Sequence, residues 1–78
     1  MPHLISVEPF GDGWSVKGGS LAEPLMFTSG GRAETAARQL GERLAAAGEA
    51  AEIRIYARGG AMVGRVACTP FTVLERCG

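Results

Sequence analysis

Three short stretches of β-forming residues, separated by turn residues, make up the first third of the chain. Residues 3–8 form the first stretch, and residues 14–17 and 25–27 form the second and third. Pro, Gly and Asp crowd between the first two stretches, as expected where a chain reverses direction. Pro24 stands at the start of the third stretch, a position that a strand tolerates. The N-terminal third is therefore predicted to be a β-meander.

The following segment changes to the periodicity of an amphipathic helix. Its apolar residues lie on one helix face: Ala33, Ala36, Ala37, Leu40, Leu44 and Ala47. Ser29 is predicted as the N-cap, and Gly48 as the residue after the C-cap. Because this stripe is narrow and mostly alanine, the helix can lie close to the surface that it covers. Leu40 and Leu44 are expected to be its most buried residues.

A period of two returns after residue 51 and predicts a β-hairpin. Ile53, Ile55 and Ala57 alternate with the outward-facing residues Glu52, Arg54, Tyr56 and Arg58. Gly59 and Gly60 form a predicted two-residue turn, since both can adopt a positive φ. The predicted cross-strand pairs are Ala57 with Met62, Tyr56 with Val63, Ile55 with Gly64, Arg54 with Arg65, and Ile53 with Val66.

These elements predict one α+β domain over residues 1–78. We expect an antiparallel β-sheet in the order ββ(β)αββ, with the one long helix packed on one face and the other face open. Residues 69–76 fit two interpretations. Thr69 and Pro70 are typical of a helix start, whereas Phe71 and Val73 alternate as in a strand. The pattern favours a short helix.

Length and composition suggest that this domain has a thin core. A chain of 78 residues buries only about 60% of the surface that it exposes when unfolded. Twelve of its residues are alanine, which contributes little apolar area. A second subunit would add buried surface, so a homodimer is expected.

Charge and targeting signals limit the possible partners and locations. Eight basic residues balance eight acidic ones, so the net charge does not favour a polyanion as partner. The chain shows neither an apolar stretch of membrane-spanning length nor a signal-peptide pattern. We therefore expect a cytoplasmic protein without a membrane role. Cys68 and Cys77 are expected to be reduced thiols, because one cysteine pair is not the dense framework of a secreted domain.

The order of short motifs resembles that of a bacterial family. Val7-Glu8-Pro9, Trp14-Ser15-Val16-Lys17, Phe27-Thr28 before an alanine-rich helix, and Ile53-Arg54-Ile55 before a glycine hairpin follow one another. In these motifs, over about residues 3–66, the chain resembles the domain of unknown function 2188 family. The resemblance implies a small bacterial cytosolic protein and supplies no catalytic residues. The Gly-Gly hairpin and the apolar residues 70–74 depart from the family pattern.

No catalytic, cofactor-binding or metal-binding set is predicted. His3 has no Cys or carboxylate at ligand spacing and is expected to be a solvated strand residue. The two cysteines lack the C-x-x-C spacing. Gly30-Gly31 precedes the helix without a phosphate-binding motif. Trp14 is expected to be a core residue rather than a stacking platform. The protein is therefore predicted not to be an enzyme.

One cluster on the outer face of the hairpin predicts a binding surface. Arg54 faces Arg65, and like charges directly opposite each other are unfavourable in a sheet. Tyr56 and Arg58 flank this pair, and the four residues form the candidate binding patch. Three guanidinium groups around a tyrosine could bind phosphates or a single-stranded nucleic acid. Alternatively, the arginine stems spread apart and pair with Glu52 or with a partner's carboxylates.

Two functions follow from this patch and from the open sheet face. The favoured one is a non-enzymatic interaction module, homodimeric through the open face, because an exposed sheet face with apolar members is a natural association surface. The alternative is a weak nucleic-acid or anion-binding domain that uses the patch. An enzyme whose site another protein completes is the least favoured interpretation.

Overall fold

Among the described residues, alternating apolar and polar positions produce five strands, and the helical periodicity between them produces one helix. The computed structural model of this protein describes residues 3–19 and 21–69. The elements are β1 (His3–Phe10), β2 (Gly13–Gly18), β3 (Leu25–Phe27), α1 (Gly30–Ala46), β4 (Ala51–Tyr56) and β5 (Met62–Cys68). The strands form one sheet in the order β3-β2-β1-β4-β5, and α1 packs on it. The α+β fold class is confirmed. The helix predicted after residue 69 falls on residues outside the described ranges.

The sheet is mixed rather than wholly antiparallel. The pairs β1–β2, β2–β3 and β4–β5 are antiparallel, whereas β1–β4 is parallel. Two antiparallel steps make β3 run in the same direction as β1, and α1 then carries the chain back to the end of the sheet where both strands begin. Because β4 starts from that end, it must run parallel to β1. The predicted meander and hairpin are both present, whereas the parallel pair that joins them departs from the antiparallel sheet that was expected.

The core lies between α1 and the centre of the sheet. Ile5, Val7, Val16 and Ile53 are fully buried there. From the helix, the buried residues are Ala33, Ala37, Gly41 and Leu44. Leu44 is buried as expected, but Leu40 is only partly buried, at the edge of the core. The small residues lie directly over the sheet because they let the helix approach it, and this displaces Leu40 to the side, next to Gly19.

Both predicted helix ends are confirmed. The Arg32 backbone N–H donates to Ser29 Oγ at 3.2 Å, which identifies Ser29 as the N-cap. Gly48 follows the C-cap residue Ala47 with a φ of +90°, a conformation that glycine adopts without strain. The helix therefore begins and ends where its sequence signals indicate.

The hairpin register is confirmed along most of its length and changes near the turn. Ile53 pairs with Val66, Arg54 with Arg65 and Ile55 with Gly64, as predicted. A β-bulge then shifts the register, so that Tyr56 pairs with Met62 instead of Val63. The predicted pair of Ala57 with Met62 is wrong for the same reason, because the Ala57 N–H donates to the Ala61 carbonyl. Gly59 and Gly60 both have the positive φ that was expected.

The state of one cysteine differs from the expectation. Cys68 is disulfide-bonded and almost completely buried at the end of β5. The expectation of a reduced thiol is therefore wrong for this residue. The other cysteine of the chain, Cys77, lies outside the described residues.

Candidate interaction face

The face of the sheet opposite α1 carries the residues that alternate with the core. No described element packs on this face, which we call the open face. Its members follow from the strand registers: Leu4, Ser6, Glu8, Ser15, Lys17, Met26, Glu52, Arg54, Tyr56, Arg65 and Ala67. Charged residues occupy its centre, and apolar ones are spread around them.

Three cationic residues line up across the open face. Ser6 pairs with Lys17 on one side and with Arg54 on the other, and Arg54 pairs with Arg65. Neighbouring strands lie about 4.8 Å apart, so this cationic row spans about 14 Å. Sequence reasoning found Arg54 and Arg65 but missed Lys17. Only the parallel pairing of β1 with β4 places Lys17 in the same row.

Two carboxylates neutralise most of this row. Lys17 Nζ lies 3.4 Å from Glu8 Oε2, and Arg54 Nε donates to Glu52 Oε2 at 2.6 Å. Arg65 has no ion pair with any residue in the described ranges, although its charge acts on Glu52. Three cations and two carboxylates leave these five residues with a net charge of +1. The open face is therefore close to balanced in charge.

Arg54 is held by partners on both sides. The hydrogen bond from Arg54 lowers the pKa of Glu52, and the charges of Arg54 and Arg65 add to this effect, while partial desolvation opposes it. The pKa of Arg54 is raised, first by Glu52 and then by a hydrogen bond to Tyr56. The guanidinium group is thus fixed between a carboxylate and a phenol. Of the two alternatives considered for the arginines, pairing with Glu52 is the one observed for Arg54.

The fourth member of the predicted patch, Arg58, lies apart on the hairpin loop. Its Nη1 donates to the Gly11 carbonyl at 3.2 Å and so connects the β4–β5 turn to the β1–β2 turn. A shallow cleft of about 410 Å³ lies beside it, lined by Glu8, Pro9, Tyr56, Ala57, Arg58, Gly59 and Gly60. Tyr56 therefore links the cationic row to the cleft. Arg58 stabilises the junction of the two turns and does not extend the row.

Apolar side chains are exposed around the charged centre. On the open face, the exposed fraction of Leu4 is 43% and that of Met26 is 54%. Phe10, Met62 and Val63 are also exposed, at the ends of β1 and β5. Exposed apolar side chains on one face are typical of surfaces that associate with other proteins, but here they surround a charged centre, whereas most protein interfaces have an apolar centre and a polar rim.

In the part of the chain that the structure describes, the remaining polar clusters do not form a metal site. His3 Nε2 contacts Glu49 Oε1, so its expected solvation is incomplete and it has a carboxylate partner 46 positions away. No group of three His, Cys, Asp or Glu side chains suited to a metal ion occurs within residues 3–19 and 21–69. Over the same ranges, no helix has the length and apolarity needed to cross a bilayer. Trp14 packs against the core beside Gly30, as expected for a structural residue.

Comparisons with protein-family models, with curated proteins and with solved structures found no match to this chain. The resemblance to the domain of unknown function 2188 family therefore stays a prediction. Functional inference rests on the geometry of the open face.

Proposed function

We propose that this domain is a non-enzymatic interaction module that forms a homodimer through the open face. The observation that supports this proposal is the charge pairing at the centre of the face, where Glu8 and Glu52 bind Lys17 and Arg54. A carboxylate and a cation that already pair cost less to bury together than an unpaired charge of either sign. Leu4, Met26 and Tyr56 would contribute apolar area to the contact.

The size of the face indicates a weak dimer. The four longer strands, β1, β2, β4 and β5, are each about 20 Å long at about 4.8 Å spacing and give a projected area of roughly 400 Å² per copy. Surface relief increases the accessible area, but the interface still falls toward the small end of specific protein contacts, which bury about 800 Å² per partner. We therefore expect a dissociation constant in the micromolar range.

A matched pair of variants tests this proposal. Leu4 and Leu25 have nearly equal exposure, 43% and 42%, but lie on opposite faces of the sheet. Sedimentation equilibrium from 1 µM to 1 mM, concentrations chosen around roughly micromolar affinity, should show a concentration-dependent dimer. Leu4→Ala should weaken it about three- to tenfold, because it removes apolar area from the contact. Leu25→Ala should leave the dissociation constant unchanged. A monomer at every concentration, or equal effects of both variants, would refute the proposal.

The cationic row favours a second candidate, a weak anion or nucleic-acid binder. Lys17, Arg54 and Arg65 at one level of the sheet could contact three phosphates, and log K would then change with log salt with a slope of roughly −2 to −3. Fluorescence anisotropy with a mixed-sequence oligonucleotide at low salt measures this slope. We expect no binding, because two of the three cations already have carboxylate partners. Binding with the stated slope that Arg65→Glu abolishes would instead favour this candidate.

The bacterial origin and the cytoplasmic location belong to the same proposal. The bacterial origin rests on the arginine, alanine and glycine bias of the composition and on the family resemblance, and the cytoplasmic location rests on the family resemblance. The disulfide at Cys68 argues against the cytoplasmic location, since disulfides persist mainly in oxidising compartments. Mass spectrometry of protein taken from cells with free thiols blocked would show whether Cys68 is oxidised there.

A further inference from the structure

We propose that Glu52 and Arg54 form the self-complementary centre of the dimer, with β4 of one copy lying antiparallel over β4 of the other. Glu52 of each copy then lies against the partner's Arg54. This inference rests on the proposed homodimer and specifies which residues determine its register.

The spacing of the two residues supports this arrangement. Glu52 and Arg54 alternate with the buried Ile53, so both project from the open face, about 7 Å apart along the strand. Consider a two-fold axis that lies in the interface, perpendicular to β4 and level with Ile53. This axis places Glu52 of each copy over Arg54 of the other. One axis thus creates two identical ion pairs between the copies, as an isologous interface requires. The ion pair within each copy becomes part of a network of four alternating charges.

The opposite orientation is unfavourable. A two-fold axis parallel to the strands would keep every residue at its own level, so the cationic row of one copy would face the cationic row of the other. Lys17, Arg54 and Arg65 would then meet only cations and Ser6. Like charges placed against each other at an interface are strongly unfavourable. The row itself therefore selects the axis perpendicular to the strands.

The same axis gives Arg65 a partner. Arg65 pairs laterally with Arg54, and Ala67 pairs laterally with Glu52. The two-fold axis places Arg65 over the partner's Ala67, whose small side chain leaves space for it. Arg65 is then one strand away from the partner's Glu52. The cation without an ion pair in the described part of one copy thereby reaches a carboxylate of the other. The unfavourable facing of Arg54 and Arg65 is compensated in the dimer.

A charge-exchange experiment tests this register. Glu52→Arg gives a chain with only cations at the two central positions, and Arg54→Glu gives one with only carboxylates. Each variant alone should dimerise at least tenfold more weakly than the wild type, because like charges meet at both contacts. An equimolar mixture should form a heterodimer with a dissociation constant within about threefold of the wild type, since both contacts are restored. Sedimentation of the mixture, with one variant fluorescently labelled, measures this, and circular dichroism verifies folding.

The chain that carries both changes, Glu52→Arg with Arg54→Glu, keeps one charge of each sign and serves as the folded control. It should form a homodimer like the wild type. If the wild type dimerises and is sensitive to Leu4→Ala, but the single variants associate as tightly as it does, this register is wrong and the proposed function stands. A folded double variant that stays monomeric also overturns the register. A wild type that is monomeric throughout removes the proposed function itself.

Discussion

At the residue scale, the facing of Arg54 and Arg65 and the partner Glu52 were predictable, but the alignment with Lys17 was not. A period of two assigns Arg54 and Arg65 to the same face of the hairpin, and the register confirms that they face each other. Glu52 was named as a possible partner because it lies two positions before Arg54 on the same side of the strand. Lys17 could not be included, because its alignment depends on a pairing between strands that are distant in sequence. Short-range periodicity carries no information about that contact.

The pKa of Glu52 offers a direct measurement of this local arrangement. A carbon-detected NMR titration should find it below the ordinary value of 4.5, because Arg54 donates to the carboxylate. Arg54→Ala should raise it toward that value, and Arg65→Ala should raise it less, because Arg65 acts only through its charge. Since the folded-state pKa is depressed, the stabilisation is present above about pH 4.5 and is lost as the pH falls through the lower folded value. A larger change for Arg65→Ala than for Arg54→Ala would contradict this assignment.

At the scale of elements, the local signals of the chain placed both ends of the helix. Ser29 and Gly48 bound the helix because a hydroxyl satisfies a free N–H and glycine accepts a positive φ. Leu40 is less buried than its hydrophobicity predicts, because burial also depends on how closely the helix approaches the sheet. The helix approaches the sheet along its alanine and glycine residues, and only Leu44 among the large residues is buried. The bulge near Tyr56 also changes the turn, because Ala57 and Ala61 now flank three residues, Arg58, Gly59 and Gly60, instead of the two that were predicted.

Two adjacent glycines at the start of α1 should respond oppositely to the same substitution. A Cβ at Gly30 would lie 3.0 Å from Trp14 Cε2, so the indole would have to shift by a few tenths of an ångström, whereas a Cβ at Gly31 meets nothing within 4 Å. Gly30→Ala should therefore destabilise the fold by about 1–2 kcal/mol through overpacking. Gly31→Ala should stabilise it by about 0.5–1 kcal/mol through helix propensity. Urea denaturation of the two variants measures the difference. Equal stabilisation by both would show that Trp14 does not pack against the helix start, and Trp14→Phe should reduce the cost of Gly30→Ala.

At the scale of the whole molecule, the α+β class followed from the order of periodicities, and the join between its halves did not. A meander, a helix and a hairpin can be combined into a sheet in more than one way, and the choice depends on which β-strands bury their apolar faces under the same helix. Ile5 and Ile53 meet in the parallel pair at the centre of that buried layer. The register of this parallel pair also determines which charged residues lie side by side on the open face. The candidate site could therefore be predicted only in part, strand by strand.

The same parallel pair has a consequence for how the protein is made. Ile5 of β1 pairs with Ile53 of β4, so about 48 further residues must be synthesised after Ile5 before β4 can pair with β1. At about 5–20 residues per second, translation takes roughly 2–10 s to supply them. During that interval, Ile5 and Val7 lack the strand and the helix that later bury them, and one edge of β1 offers free backbone groups to any other nascent chain. Slow codons between the helix and β4 would prolong this exposure, and a chaperone that binds extended apolar segments would shield β1 from other chains until β4 is made.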